Sequence, residues 1–227
     1  MSPLSTWSLR GFLLLSAWSS SGCGGGLPEP FALDWRGVTS GPAPSDRVRA
    51  ALPGKTFRVE PTVDRRPDAS RIGVDEETQY QYRTTTHVAA FCSDRIKDMV
   101  STAGLKTVEQ GDYVLQSEIL ELGVTEGGLF DGTARVVFRV FKPGRTAFEA
   151  TYEGKSKRWG RSHSTENINE ALSNALASAT EKFLQDDRFA DALGGKGTSS
   201  AAPAAPAPAP TPAAPAPAVS AKPRYNL

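Results

Sequence analysis

Between residues 55 and 193 the apolar positions switch from strand-like alternation to helical spacing and back. Residues 56–63 carry Phe57, Val59 and Val63 and predict a first strand, stopped by the charged turn Asp64-Arg65-Arg66-Pro67-Asp68. A polar stretch over 75–86 separates it from a helix. There Val88, Cys92, Ile96, Met99, Val100 and Ala103 recur at three- and four-residue intervals, while Asp94, Arg95, Lys97 and Asp98 occupy the opposite face. Gly104 supplies a helix stop. After a short extended piece at 105–108 and the turn Gln110-Gly111-Asp112, three strands are predicted. The first, 113–124, is apolar on both sides, as a central strand would be. The second, 133–142, directs Ala134, Val136, Phe138 and Val140 one way and Arg135 and Arg139 the other. Past Pro143-Gly144 the third alternates Phe148, Ala150 and Tyr152 with Glu149, Thr151 and Glu153. A second helix is predicted to begin near Asn167, with Glu170 reaching back as a capping box. Ile168, Leu172, Ala175, Leu176, Ala179, Phe183 and Leu184 form its apolar stripe, and Phe189 and Leu193 close the domain. The expected fold is α+β: a mainly antiparallel sheet in the order strand, helix, three-strand meander, helix, with two helices packed on one face.

The ends of the 227-residue chain have a different character. A weakly positive start containing Arg10, an apolar stretch from Gly11 to Trp18, and Ser19-Ser20-Ser21-Gly22 before Cys23 have the order of a secretion signal. The segment also resembles the bacterial lipobox, in which a small residue precedes a cysteine that carries diacylglycerol and further acyl chains such as palmitate. Gly22 and Cys23 fit that pattern; Ser20 stands where an aliphatic residue is usual. The reading is a signal peptide over 1–22, lipidation at Cys23, a flexible tether through residue 54, one domain over 55–193, and a disordered Ala/Pro-rich tail over 194–227. The alternating Ala and Pro residues of 201–221 favour polyproline II at ~3.1 Å per residue, a reach of about 65 Å. Lys222, Arg224 and Tyr225 near its end are candidates for touching peptidoglycan or another envelope protein.

Charge adds little to the picture. Lys and Arg number 26 against 25 Asp and Glu, and loss of 1–22 removes Arg10 alone, leaving the two in balance. No nucleic-acid partner is indicated. With Cys23 acylated, Cys92 has no partner for a disulfide and reads as a packed core thiol.

No grouping of catalytic, cofactor-binding or metal-ligating residues stands out. His87 and His163 are isolated in sequence, and no HExxH or CxxC spacing is present. Ser162-His163-Ser164 are neighbours along the chain and lack a marked orienting acid. Gly127-Gly128 forms a hairpin loop and no phosphate cradle. The chain is therefore expected not to be an enzyme. Leu129 and Phe130, at the tip of that loop, either contact a partner or fold back on the sheet. Asp64, Arg65 and Arg66 either contact a partner or form a solvated turn.

The layout resembles the YajG-type bacterial lipoproteins. The likeness rests on the signal and on Val63-Asp64-Arg65-Arg66-Pro67, Thr102-Ala103-Gly104-Leu105, Tyr113-Val114-Leu115-Gln116, Asn167-Ile168-Asn169-Glu170-Ala171-Leu172 and Gln185-Asp186-Asp187. It implies an envelope lipoprotein without a catalytic centre; Gly24 after the cysteine, by resemblance to enterobacterial sorting, implies the outer membrane, facing the periplasm. The expected function is a lipid-anchored, non-catalytic binding or assembly module. The alternatives are an auxiliary lipoprotein of a lipid or solute transport system, a secreted binding domain, or an envelope hydrolase that brings one histidine against a carboxylate and a hydroxyl.

Overall fold

The computed structural model describes residues 29–36, 41–160 and 163–194. Cys23, the expected signal peptide over 1–22 and the expected tail from residue 195 onward lie outside them. The elements in chain order are α1 (Asp46–Ala51), β1 (Thr56–Val59), β2 (Val63–Asp64), β3 (Arg71–Asp75), β4 (Gln81–Arg83), α2 (Val88–Thr102), β5 (Lys106–Thr107), β6 (Tyr113–Glu126), β7 (Phe130–Lys142), β8 (Arg145–Arg158), α3 (Thr165–Gln185) and α4 (Asp187–Leu193). The protein is α+β, with a mixed, mostly antiparallel sheet.

The expected meander is β6-β7-β8, antiparallel throughout. The other edge of β6 is built differently from the expectation of one strand over 56–63. Three short strands, β1, β2 and β3, pair with it in succession and in parallel. Pro61 lacks an N–H and separates β1 from β2, and the 65–70 loop separates β2 from β3. The polar stretch over 75–86 contains β4, which returns antiparallel beside β3. The apparent two-sided apolarity of β6 comes from a bulge. Leu115, Ser117 and Ile119 face the core, the register shifts between Ile119 and Glu121, and Leu122, Val124 and Glu126 then take the inward positions.

Helix α3 lies against β6, β7 and β8, and α2 packs beside α3 and against β2 and β5. Gly132 and Gly154 let α3 approach, since a Cβ at either would collide with the carbonyl of Ala171 or Ala175. The helix starts earlier than its sequence suggests: Ser164 is the cap, its hydroxyl accepting from the Asn167 N–H at 3.3 Å. Asn167 is buried inside the first turn.

Residues 29–36 and 41–54 are part of the domain, a correction to the flexible tether expected through residue 54. Leu33, Val48 and Leu52 enter the core, and α1 packs on α4. The Gly- and Pro-rich composition hid a capped helical turn, in which the Ser45 hydroxyl accepts from the Val48 N–H and Val48 and Leu52 lie one turn apart.

The two ends of the domain differ. One end carries the β6–β7 turn, the β3–β4 turn, the end of β8 and the start of α3. Phe31 forms a parallel bridge with Thr84 just past β4, so residues 29 and 30 approach from this end. At the opposite end the chain leaves the domain, where the Tyr113 hydroxyl donates to the Leu193 carbonyl at 3.1 Å and Lys142 Nζ to that of Ala192 at 2.8 Å.

Candidate functional site

At the end where the chain enters, four side chains distant in sequence converge. Asp75 closes β3, Tyr82 is central in β4, Glu126 takes the last inward position of β6, and His163 sits just before the α3 cap. Tyr82 is fully buried and Asp75 and Glu126 nearly so, whereas His163 is one-third exposed. The Tyr82 hydroxyl donates to Glu126 Oε2 and stands 3.0 Å from His163 Nδ1. The His163 N–H donates to Glu126 Oε1 at 3.0 Å, with its backbone in the left-handed region at φ 56°. His163 Nε2 faces Asp75 Oδ2 at 3.6 Å. Asp75 Oδ1 accepts from the N–H groups of Thr78 (3.0 Å) and Glu77 (2.8 Å).

These contacts set the electrostatics. The Thr78 N–H, aided by that of Glu77 and the nearby His163, holds the Asp75 carboxyl below the ordinary range against the opposing effect of burial. Burial foremost, then the Glu126 hydrogen bond, pushes the Tyr82 phenol up, so its hydroxyl stays protonated and is a poor nucleophile. Asp75, Glu126 and His163 offer ligand atoms within 4.8 Å of one another.

The sequence marked His163, and Tyr82 with Tyr80 and Trp159 as aromatic residues outside the apolar stripes that either line a groove or pack under a loop, but not Asp75 or Glu126. Their separation along the chain leaves no motif, and the bulge in β6 conceals the inward parity of Glu126. An ionisable residue continuing the Leu122-Val124 alternation inward was the available signal.

The residues singled out from sequence do not meet in one place. Phe130 folds back into the core with 1% of its surface exposed, and Leu129 is half-buried at the turn. Arg66 has a side chain only 5% exposed and staples its loop to the sheet. Its guanidinium donates to Asp64 (2.8 and 2.9 Å) and to the carbonyls of Ala69 (2.8 Å), Arg71 (2.7 Å) and Leu122 (3.2 Å). Burial opposes the Asp64 charge, but the Arg66 hydrogen bonds and charge outweigh it and hold that carboxyl low. Arg65 is exposed and reaches Glu118 at 3.4 Å. A cleft of about 290 Å³ runs between the Arg66–Arg71 loop and β6. His87 caps α2. Cys92 is buried, which pushes its thiol up to about 12. Trp159, past the end of β8, is 77% exposed.

No family model matches the chain, and no curated protein matches it significantly. Similar folds are found among solved bacterial structures. A Xanthomonas campestris protein of family DUF330 shares 16% identity at a TM-score of 0.52, the match covering 74% of this chain and 98% of that one. A candidate lipoprotein of Caulobacter crescentus shares 13% identity at 0.42, over 65% and 96% of the two chains. A Chlamydia trachomatis protein shares 11% identity at 0.42, over 61% and 97%. The Xanthomonas protein establishes a shared fold. The YajG-type resemblance rests on the sequence motifs alone.

Proposed function

We propose that this chain is a bacterial envelope lipoprotein, anchored by acylated Cys23 in the outer membrane on its periplasmic side, whose α+β domain is a non-catalytic binding or assembly module. The observation that carries the reading is the signal-like order ending at Gly22-Cys23, followed almost at once by a segment docked on the domain. Residues 24–30 can span at most on the order of 25 Å, so a lipid on Cys23 holds the domain close to the bilayer. Two or three acyl chains suffice for stable anchoring.

The direction of approach supports an orientation. Residues 29 and 30 lie on the side of the β6–β7 turn, so this end, with Trp159 and Leu129, faces the membrane and the end that releases the tail faces away. Tryptophan suits the bilayer interface. The Ala/Pro tail then extends toward the cell wall.

Intact mass and membrane fractionation of the natively expressed protein, beside a Cys23→Ala variant, test the anchor. The expected mass begins at Cys23 and includes about three acyl chains, with the variant unprocessed or released from the membrane. A mature chain without lipid, soluble in both versions, would make a secreted binding domain the better account.

A further inference from the structure

We propose that the free edge of β8 takes up an extended segment of another protein as an added antiparallel strand, an inference that rests on the reading of the domain as a binding or assembly module. β8 is 14 residues long and pairs with β7 alone. Alternate residues of a strand turn their N–H and C=O groups to opposite sides. The Leu122 and Glu126 carbonyls of β6 are taken from the β3 side, by Arg66 and by the Glu76 N–H. Gly123 and Thr125 therefore bond across to Thr133 and Asp131, which leaves the even-numbered residues of β7 to bond those of β8 from Phe148 to Arg158. Glu149, Thr151, Glu153, Lys155 and Lys157 then turn their backbone groups outward. The bond that Lys182 Nζ donates to the Glu153 carbonyl, at 2.7 Å, agrees with this parity. The remaining outward groups have no partner among the described residues.

Edges built to refuse a strand are short, bulged, interrupted by proline, lined with charge or covered by another element. β8 has no proline, its register shift falls near its start, opposite Val140 and Phe141, and pairing is unbroken from Phe148 to Arg158. α3 packs on the inward face, and from it the Lys182 side chain alone bonds an outward backbone group. The charges are ordered: on the exposed face Glu149 and Glu153 precede Lys155 and Lys157. An antiparallel strand with acids opposite the two lysines and bases opposite the two glutamates meets opposite charge at each of these positions, and the reverse order meets like charge. The chain's own tail does not supply that strand, because proline, which lacks the N–H, recurs every two or three residues over 203–217. A second copy pairs about a two-fold axis with its strand reversed, which would turn the end where its chain enters, and Cys23 with it, away from the bilayer. The occupant is thus a strand of a different protein, held by main-chain bonds and selected by charge.

The test uses the purified full chain with Cys23→Ser, which carries no lipid, so that failure of the anchor and failure of this edge are read separately. The probe is a synthetic peptide with blocked ends, Glu-Thr-Glu-Thr-Lys-Val-Thr-Val-Lys, the antiparallel complement of residues 149–157, and the readout is amide hydrogen exchange followed by NMR. In the chain alone the N–H groups of Thr151, Glu153 and Lys155 should exchange freely while those of Ala150, Tyr152 and Gly154 are protected. Excess peptide should slow the first three at least about ten-fold. The peptide with Glu and Lys interchanged should bind at least about ten-fold more weakly. Thr151→Pro removes an outward N–H that the fold does not use, so the domain should stay folded and lose at least about ten-fold in peptide affinity. Thr151→Val should bind as the parent does. Outward amides already protected without peptide, which would mean that the edge closes on a second copy, would overturn the proposal. So would outward amides unslowed by the peptide, equal binding of the two peptides, or full binding by a folded Thr151→Pro chain.

Discussion

The two ends of this domain are held together by different physics. At the end that releases the tail, ring packing dominates. Phe183 stacks on Phe138 with centroids 4.5 Å apart and meets Phe189 at 4.6 Å, Phe148 adds a third neighbour, and Phe57 stacks on Tyr113 at 5.3 Å. At the end where the chain enters, the equivalent interior space is given to Asp75, Tyr82, Glu126 and His163. Aromatic packing contributes stability in any combination of similar volume, whereas a buried polar network is stabilising only when every member is satisfied. The contrast marks one end as scaffold and the other as the place where the sequence accepts a cost in stability.

The comparison can be broken most forcefully at the scaffold end. Phe183→Ala should lower unfolding stability by about 3–5 kcal/mol in a urea titration, because a fully buried ring between two others leaves a large cavity. A loss under about 1 kcal/mol would mean that the aromatic cluster is not the keystone.

Between the ends, Arg66→Ala should cost about 3 kcal/mol, since it leaves Asp64 buried without its counter-ion and three carbonyls without their donor. Arg65→Ala, one residue earlier and exposed, should change stability by under about 0.5 kcal/mol. Equal effects would contradict the division between a structural and a surface arginine. At the polar end, Tyr82→Phe should cost about 1–3 kcal/mol by removing a buried donor to Glu126.

Acid should weaken the domain with a defined sign. The folded-state values of Asp64, Asp75 and Asp186 are depressed below the ordinary 3.8. Their contribution is therefore complete above that value and is lost as pH falls through the folded values. Thermal melting between pH 5 and pH 2 should register a drop in Tm confined to the acid limb, smaller in Asp75→Asn. A flat profile would argue against these carboxylates being held in the ionised form.

Legibility in the sequence followed the same division. The apolar stripe of α3 and the alternation of β7 and β8 were readable, because Phe138, Val140, Phe183 and Leu184 are large and periodically spaced. The edge beyond β6 was not. Strands of two to five residues carry too few positions for a period, and Gly73 and Pro61 interrupt what there is. The α1 turn was masked by the Gly and Pro residues around it. The polar cluster was invisible for a separate reason: its members come from β3, β4, β6 and the α3 cap, and only the parallel pairing of β3 with β6 brings Asp75 opposite Glu126.

The most direct test of the account is whether the end bearing Trp159 meets the bilayer. Of the four tryptophans, Trp7 and Trp18 fall in residues 1–22, which the proposed processing at Cys23 removes. A Trp35→Phe variant of the mature lipidated protein therefore leaves Trp159 as its fluorophore. In vesicles containing phospholipids brominated along their acyl chains, the account predicts quenching of that emission relative to unbrominated vesicles, lost in the Cys23→Ala chain. Unquenched emission from a chain that co-sediments with the vesicles would contradict the orientation.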